Sequence, residues 1–115
     1  MSQSNQVAEP EAQAKVVSHS MLGSRQAKFT FPPAAQSTRR DTATFNAPTG
    51  TRVATIALQD FDLKYTNHSN YDFGQIQVAL TTSNSEAICT VTLRDNNINK
   101  REWEGTVTGI VTFFG

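Results

Sequence analysis

The sequence predicts an all-β protein, an antiparallel β-sandwich of six or seven strands behind an extended N-terminal arm. Short segments in which apolar and polar residues alternate recur along the chain, which is the pattern of strands with one buried face. Polar, turn-forming residues separate these segments, and none of the segments has the 3.6-residue period of an amphipathic helix. Charged residues make up 17% of the chain, below the roughly 25% typical of globular domains, which suits strands with hydroxyl-rich and amide-rich outer faces.

The predicted arm covers residues 1–26. This segment is rich in Gln, Ser and Ala and has too few apolar residues to define a buried face. Such a composition is typical of segments that become ordered only by docking on the body or on a partner. The β-sandwich domain is therefore predicted to span residues 27–115, which is long enough to bury a core without disulfides or metals.

The first strands are predicted at residues 27–31 and 41–46, where Phe29, Phe31 and Phe45 fall on alternating positions. We expect the first strand to end at Pro32 and Pro33, because proline has no N–H to donate to a neighbouring strand. Residues 48–50 read Pro-Thr-Gly, a sequence that favours a turn.

In the longest predicted strand, residues 52–65, the large apolar residues shift from even-numbered to odd-numbered positions partway along. Ile56 and Leu58 occupy even positions, whereas Phe61, Leu63 and Tyr65 occupy odd positions. One extra residue in the strand would return all of them to the same face. The sequence therefore predicts a β-bulge near Gln59 and Asp60.

Three more strands complete the predicted sandwich: residues 74–82, 87–95 and 103–114, the first two joined as a hairpin. Trp103, Val107, Val111 and Phe113 share one face of the last strand, on which Gly105 and Gly109 would allow close backbone approach. Cys89, the only cysteine, is expected to be a small buried apolar side chain.

No residue set in the sequence suits catalysis, metal binding or a cofactor, so we expect a non-enzymatic protein. The only histidines, His19 and His68, lie in the arm and in a loop, and no base accompanies Cys89. The formal net charge of zero gives no reason to expect a nucleic-acid partner. No apolar stretch reaches bilayer length and no secretory signal is recognisable, so we expect a soluble chain that is not exported by the classical route.

Polar residues crowd the two long loops and make them candidates for ligand recognition. Proteins bind sugars through planar polar side chains combined with an aromatic ring, and both loops offer such groups. With the two acidic residues of the longest strand, the candidate ligand-binding residues are Asp60, Asp62, Tyr65, Asn67, His68, Arg94, Asp95 and Trp103.

The order of features from residue 41 onward resembles the H-type lectin domain. The resemblance rests on Phe45, Pro48 and Val53, on residues 56–62, on Ile76-Gln77-Val78, and on the spacing to Ile88 and Thr90-Val91-Thr92-Leu93. It implies a six-stranded antiparallel sandwich that binds galactose or N-acetylgalactosamine and assembles as a trimer or a dimer of trimers.

By this resemblance, Asp60 or Asp62 would accept hydrogen bonds from sugar hydroxyls, Arg94 would donate them, and an aromatic residue would cover the apolar face of the sugar. The chain departs from the family at two places. Residues 112–114 and the pair Arg94-Asp95 stand where the family commonly carries tryptophan.

A structural subunit is the alternative hypothesis. An extended polar arm before a compact β-domain is also the layout of viral coat, phage-tail and injection-system proteins, in which the arm docks on neighbouring subunits. In both hypotheses we expect the chain to form a homo-oligomer, with a trimer favoured, and in the first hypothesis a glycan is the further ligand.

Overall fold

A computed structural model describes residues 20–66, 74–95 and 101–115, which form six β-strands and no helix. The strands are β1 (Met21–Ala34), β2 (Thr38–Thr44), β3 (Val53–Tyr65), β4 (Gln75–Thr82), β5 (Glu86–Arg94) and β6 (Trp103–Phe114). The predicted all-β fold class is confirmed. Within the described ranges, no helix is long and apolar enough to cross a membrane.

The strands form two antiparallel sheets of three strands each. Sheet 1 has the order β1-β6-β3 and sheet 2 the order β2-β5-β4. Since β4 and β5 are the only consecutive strands that share a sheet, every other connection crosses from one sheet to the other. The connections β1–β2, β3–β4 and β5–β6 leave from the same end of the molecule, because Ala34, Tyr65 and Trp103 are register partners there.

The central strands β6 and β5 supply most of the core between the sheets. On β6 the predicted inner face is confirmed, since Trp103, Val107, Val111 and Phe113 are all fully buried. Cys89 of β5 is also fully buried, as predicted. Complete burial of one large apolar side chain contributes about 1.5–3 kcal/mol relative to leaving it exposed, so these two strands carry much of the stability.

The predicted β-bulge lies at Gln59. Leu58 pairs with Gly109 and Asp60 pairs with Thr108, so Gln59 has no partner on β6. The register shift turns the side chains of Leu58 and Phe61 to the same inner face of sheet 1, although they are an odd number of residues apart. It also places the carboxylates of Asp60 and Asp62 on the outer face.

Strand β1 is longer at both ends than the sequence predicts. It begins at Met21, which pairs with Phe114, so residues 21–26 belong to sheet 1 and not to the predicted arm. It continues past Pro32 and Pro33 to Ala34, with an irregular register at the prolines. Because β1 is an edge strand, its prolines need donate no hydrogen bond on the open side. Residues 1–19 of the predicted arm lie outside the described residues.

Gly105 lets β3 and β6 approach closely. A Cβ atom at this position would overlap the backbone carbonyl oxygen of Asp62 and lie 2.8 Å from Cδ2 of Leu63. At Gly109 the approach is looser, since an added Cβ would lie 3.2 Å from side-chain carbons of Ile56 and 3.3 Å from the backbone carbonyl oxygen of Ala57. The predicted close backbone approach is therefore present at both glycines and is tightest at Gly105.

Candidate ligand-binding site

Trp103, a predicted ligand-binding residue, lies in the core. It is fully buried, and its indole Nε1 donates a 2.6 Å hydrogen bond to the backbone carbonyl of Gln36 in the β1–β2 connection. The ring of Phe31 packs at a tilt with its centroid 5.5 Å away. The indole of Trp103 therefore has no free face to offer to a ligand.

Arg39 covers this tryptophan, although no local signal in the sequence marks it. Its guanidinium carbon lies 4.3 Å from the centroid of the Trp103 ring and 5.6 Å from that of Phe31. Nη1 donates a 2.8 Å hydrogen bond to the carbonyl of Trp103, and Nη2 donates to the carbonyl of Pro32. Burial lowers the pKa of Arg39. The side chain thus ties strand β2 of sheet 2 to strands β1 and β6 of sheet 1.

Two further predicted residues are also engaged inside the fold. The side chain of Asp95 is 3% exposed and accepts a 2.7 Å ion-paired hydrogen bond from Nε of Arg101. Tyr65 is 7% exposed and is the register partner of Trp103. Both side chains are buried at the end of the sandwich where the connections cross between the sheets, so neither is exposed to a ligand.

Arg94 is exposed, but it lies on the other sheet. Its Nε donates a 3.0 Å hydrogen bond to the side-chain oxygen of Gln75 on the neighbouring strand β4. Since Leu93 is buried, Arg94 faces the outer side of sheet 2, away from Asp60 and Asp62 on sheet 1. Asn67 and His68 lie outside the described residues.

The two remaining predicted residues, Asp60 and Asp62, lie together on the outer face of sheet 1. The ladder aligns Asp60 with Thr108 and Lys28, and Asp62 with Thr106 and Thr30. We call these side chains the carboxylate face: Lys28, Thr30, Asp60, Asp62, Thr106 and Thr108. The sequence alone could not have identified the lysine and the threonines, because only the register of three strands brings them beside the carboxylates.

The charged groups of the carboxylate face have unused hydrogen-bonding capacity. Asp60, Asp62 and Lys28 are exposed, and their side chains form no hydrogen bond or ion pair with the described residues. The lysine is two strands from the carboxylates, about 10 Å at the usual strand spacing. The face therefore offers acceptors at one edge, a cationic donor at the other, and hydroxyls between them.

The bulge residue closes one end of this face. The side-chain amide of Gln26 donates a 2.8 Å hydrogen bond to the side-chain oxygen of Gln59, which bridges from β1 to β3 across β6. The bulge also turns Asp60 outward. The same irregularity therefore places a carboxylate on the outer face and, through Gln59, marks one end of that face. β-Bulges are common beside functional sites for this reason.

Cys89 is not placed to act as a nucleophile. Burial, and secondarily the negative charge of Asp41, raise the pKa of the Cys89 thiol to about 11, so the thiol is protonated at neutral pH. In the part of the chain that the structure describes, no three His, Cys, Asp or Glu side chains come together to hold a metal ion.

The carboxylate face is thus an array for hydrogen bonding on a three-stranded sheet, in which the charged residues are exposed and Thr108 is buried beneath them. No protein-family model, curated protein or solved structure matches this chain.

Proposed function

We propose that this chain is a non-enzymatic, lectin-like module that binds galactose-type or N-acetylgalactosamine-type sugars and acts as a homo-oligomer. The observation that carries the proposal is the carboxylate face, where two exposed carboxylates, Asp60 and Asp62, share the outer face of sheet 1 with Lys28 and have no partner among the described residues. Hydrogen bonds to ionised groups are roughly twice as strong as neutral ones.

A sugar ring presents neighbouring hydroxyls, each of which can donate one hydrogen bond and accept others. In our proposal, Asp60 and Asp62 accept hydrogen bonds from two such hydroxyls, and Thr106 and Thr108 lie beside them on the central strand. Lys28 takes the donor role that the family resemblance implied for Arg94, since Arg94 lies on the outer face of the other sheet.

The resemblance to H-type lectins supports the proposal at the level of the fold. It implies a six-stranded antiparallel sandwich, and the described residues form six strands in two antiparallel sheets. A site on the exposed face of a sheet buries little ligand surface, so a single site would bind weakly. Oligomerisation, for which the resemblance implies a trimer or a dimer of trimers, would compensate, because linked sites raise avidity without new contacts.

Binding of purified full-length protein to a glycan array tests the proposal. We expect binding to galactose-type sugars, and we expect the double substitution Asp60→Ala, Asp62→Ala to weaken it at least about tenfold, because each lost charged hydrogen bond is worth about 1.5–3 kcal/mol. Glu86→Ala, which removes an exposed carboxylate from sheet 2, is the matched control and should bind like wild type. The proposal would be contradicted if no glycan on the array bound the protein, or if the double variant bound as well as wild type.

A structural subunit of a viral, phage-tail or injection-system assembly is the second candidate. It is favoured by large apolar side chains that stay exposed along one side of the sandwich: Leu58 at 47%, Phe61 at 47% and Ile76 at 43%. Such patches commonly mark protein–protein contacts. An oligomer that binds no glycan would favour this candidate.

A further inference from the structure

Of the four edge strands, β4 alone has no feature that would prevent its open edge from pairing with a strand of another chain. Charges, prolines and bulges are the usual means of protecting an open sheet edge. Strand β1 carries Pro32 and Pro33, β2 carries two arginines and an aspartate, and β3 carries the bulge together with three charged residues. Strand β4, Gln75–Thr82, has no charge, no proline and no register shift against β5.

The side of the sandwich formed by β3 and β4 is also less well closed than the opposite side. Leu58 and Phe61 of β3 and Ile76 of β4 are inward-facing in register, yet they remain almost half exposed. On the opposite side, Phe29 and Phe31 are 0% and 3% exposed. There, Asp41 of β2 accepts a 2.9 Å hydrogen bond from the backbone N–H of Thr30 on β1.

We infer that β4 pairs antiparallel with β4 of a second copy of this chain, about a two-fold axis that passes through Val78. The inference deepens the homo-oligomer of the proposed function and does not depend on sugar binding. Its contact is isologous, meaning that the same surface is used by both copies.

The sequence of β4 is self-complementary in this register. On the inner face Ile76 lies opposite Leu80, and Val78 lies opposite its own equivalent. On the outer face Gln77 lies opposite Ala79, and Gln75 lies opposite Thr81. Apolar residues therefore meet apolar residues, neutral polar or small residues meet one another, and no like charges face each other across the contact. A shift that placed inner residues opposite outer ones would lose this match.

The exposed apolar residues of β3 favour a second copy over an extended peptide as the occupant of this edge. A peptide added to β4 would extend sheet 2 but leave Leu58 and Phe61 of sheet 1 exposed. A second copy contributes both of its sheets. Its β3 then lies beside β3 of the first copy, so that the apolar inner faces of sheet 1 and sheet 2 both extend across the contact. The pairing thus covers Leu58, Phe61 and Ile76 together.

The molar mass of the full-length protein, measured by light scattering over a range of concentrations, tests the inference. Wild type should have an even multiple of the 12.6 kDa chain mass. The double substitution Gln77→Lys, Ala79→Lys changes two exposed outer-face residues and places like charges opposite each other across the axis. We expect it to halve the mass, with a dissociation constant at least about tenfold higher than that of wild type.

The matched variant Gln77→Lys, Ala79→Glu places opposite charges across the same axis and should keep the wild-type mass. Amide hydrogen exchange of wild-type β4 should slow as the protein concentration rises, which tests the contact even if the lysine variant folds poorly. The pairing would be overturned if the wild type were a monomer or a trimer. It would also be overturned if the lysine variant had the same mass as wild type, or if the Lys/Glu variant were a monomer. Glycan binding by the lysine variant is measured separately, so failure of the interface is distinguishable from failure of the proposed function.

Discussion

The guanidinium of Arg39 lies 4.3 Å above the indole of Trp103 and donates a hydrogen bond to the carbonyl of the same residue. Arg39 belongs to sheet 2 and Trp103 to sheet 1, so this stacked pair joins the two layers at the end where three connections cross. The indole is thereby kept in the core.

Substitution of Arg39 should reveal how much this contact stabilises the fold. Arg39→Met keeps an apolar stem of similar length but removes the cation–π contact and the hydrogen bonds to two carbonyls. We expect the free energy of unfolding, measured with urea, to fall by about 2–3 kcal/mol. Arg40→Met changes the exposed neighbour and should stay within about 0.5 kcal/mol of wild type. Equal effects of the two substitutions would show that Arg39 has no special role.

The two glycines on the inner face of β6 should differ in their tolerance of a methyl group. Gly105→Ala forces a Cβ against the backbone of Asp62 and Leu63, which cannot move without disturbing β3, so we expect a loss of about 3 kcal/mol. Gly109→Ala meets the side chain of Ile56 at 3.2 Å and the backbone carbonyl oxygen of Ala57 at 3.3 Å, so shifts of a few tenths of an ångström accommodate it and it should cost about 1 kcal/mol. Thermal and urea unfolding of both variants measures the difference, and a more damaging Gly109→Ala would be inconsistent with the described approach of β3 to β6.

Asp41 should protect the open edge of β1. Its carboxylate accepts the hydrogen bond of the Thr30 amide, so Asp41→Ala should accelerate hydrogen exchange of that amide, as measured by NMR. Asp41→Asn retains a side-chain oxygen that can accept the same bond and should preserve most of the protection. An unchanged Thr30 exchange rate in the alanine variant would mean that the carboxylate is not needed there.

The buried Cys89 thiol should make the protein less stable at alkaline pH. The pKa of Cys89 in the folded protein is raised to about 11, whereas the ordinary pKa of a thiol in the unfolded chain is 9.0. Between these two values the unfolded state loses its proton first and gains stability relative to the folded state, so the free energy of unfolding falls as pH rises.

Comparison with Cys89→Ala isolates this thiol from other groups that titrate at high pH. The stability advantage of wild type over the variant should shrink by on the order of 2 kcal/mol between pH 8 and pH 11. Urea unfolding at several pH values measures it. A difference that does not change with pH would contradict the raised pKa.

The sequence predicts a strand or bulge well where the alternation of apolar and polar residues lies within that segment itself. The parity change between Leu58 and Phe61 is a local signal, and it correctly predicted the bulge at Gln59. The start of β1 was missed because residues 21–26 lack alternating apolar residues and owe their strand conformation to pairing with β6. The strand continues through Pro32 and Pro33 because β1 is an edge, a property of the topology that local sequence does not encode.

The candidate site was predictable only in part for the same reason. Asp60 and Asp62 were recognisable as a pair on one strand. Their neighbours Lys28, Thr106 and Thr108 come from strands far away in sequence and are brought there by the ladder register. Trp103 resembled a ligand-binding aromatic because it follows a polar loop, yet burial beneath Arg39 decides its role.

The most direct test of the proposed sugar site is an NMR titration of the ¹⁵N-labelled full-length protein with N-acetylgalactosamine. We expect saturable shifts of the amides of the carboxylate face, centred on Asp60 and Asp62 of β3 and Thr106 and Thr108 of β6, and we expect the Asp60→Ala, Asp62→Ala variant to lose them. Shifts that cluster around Arg94 on sheet 2 instead, or no shifts at sugar concentrations well above a millimolar dissociation constant, would contradict it.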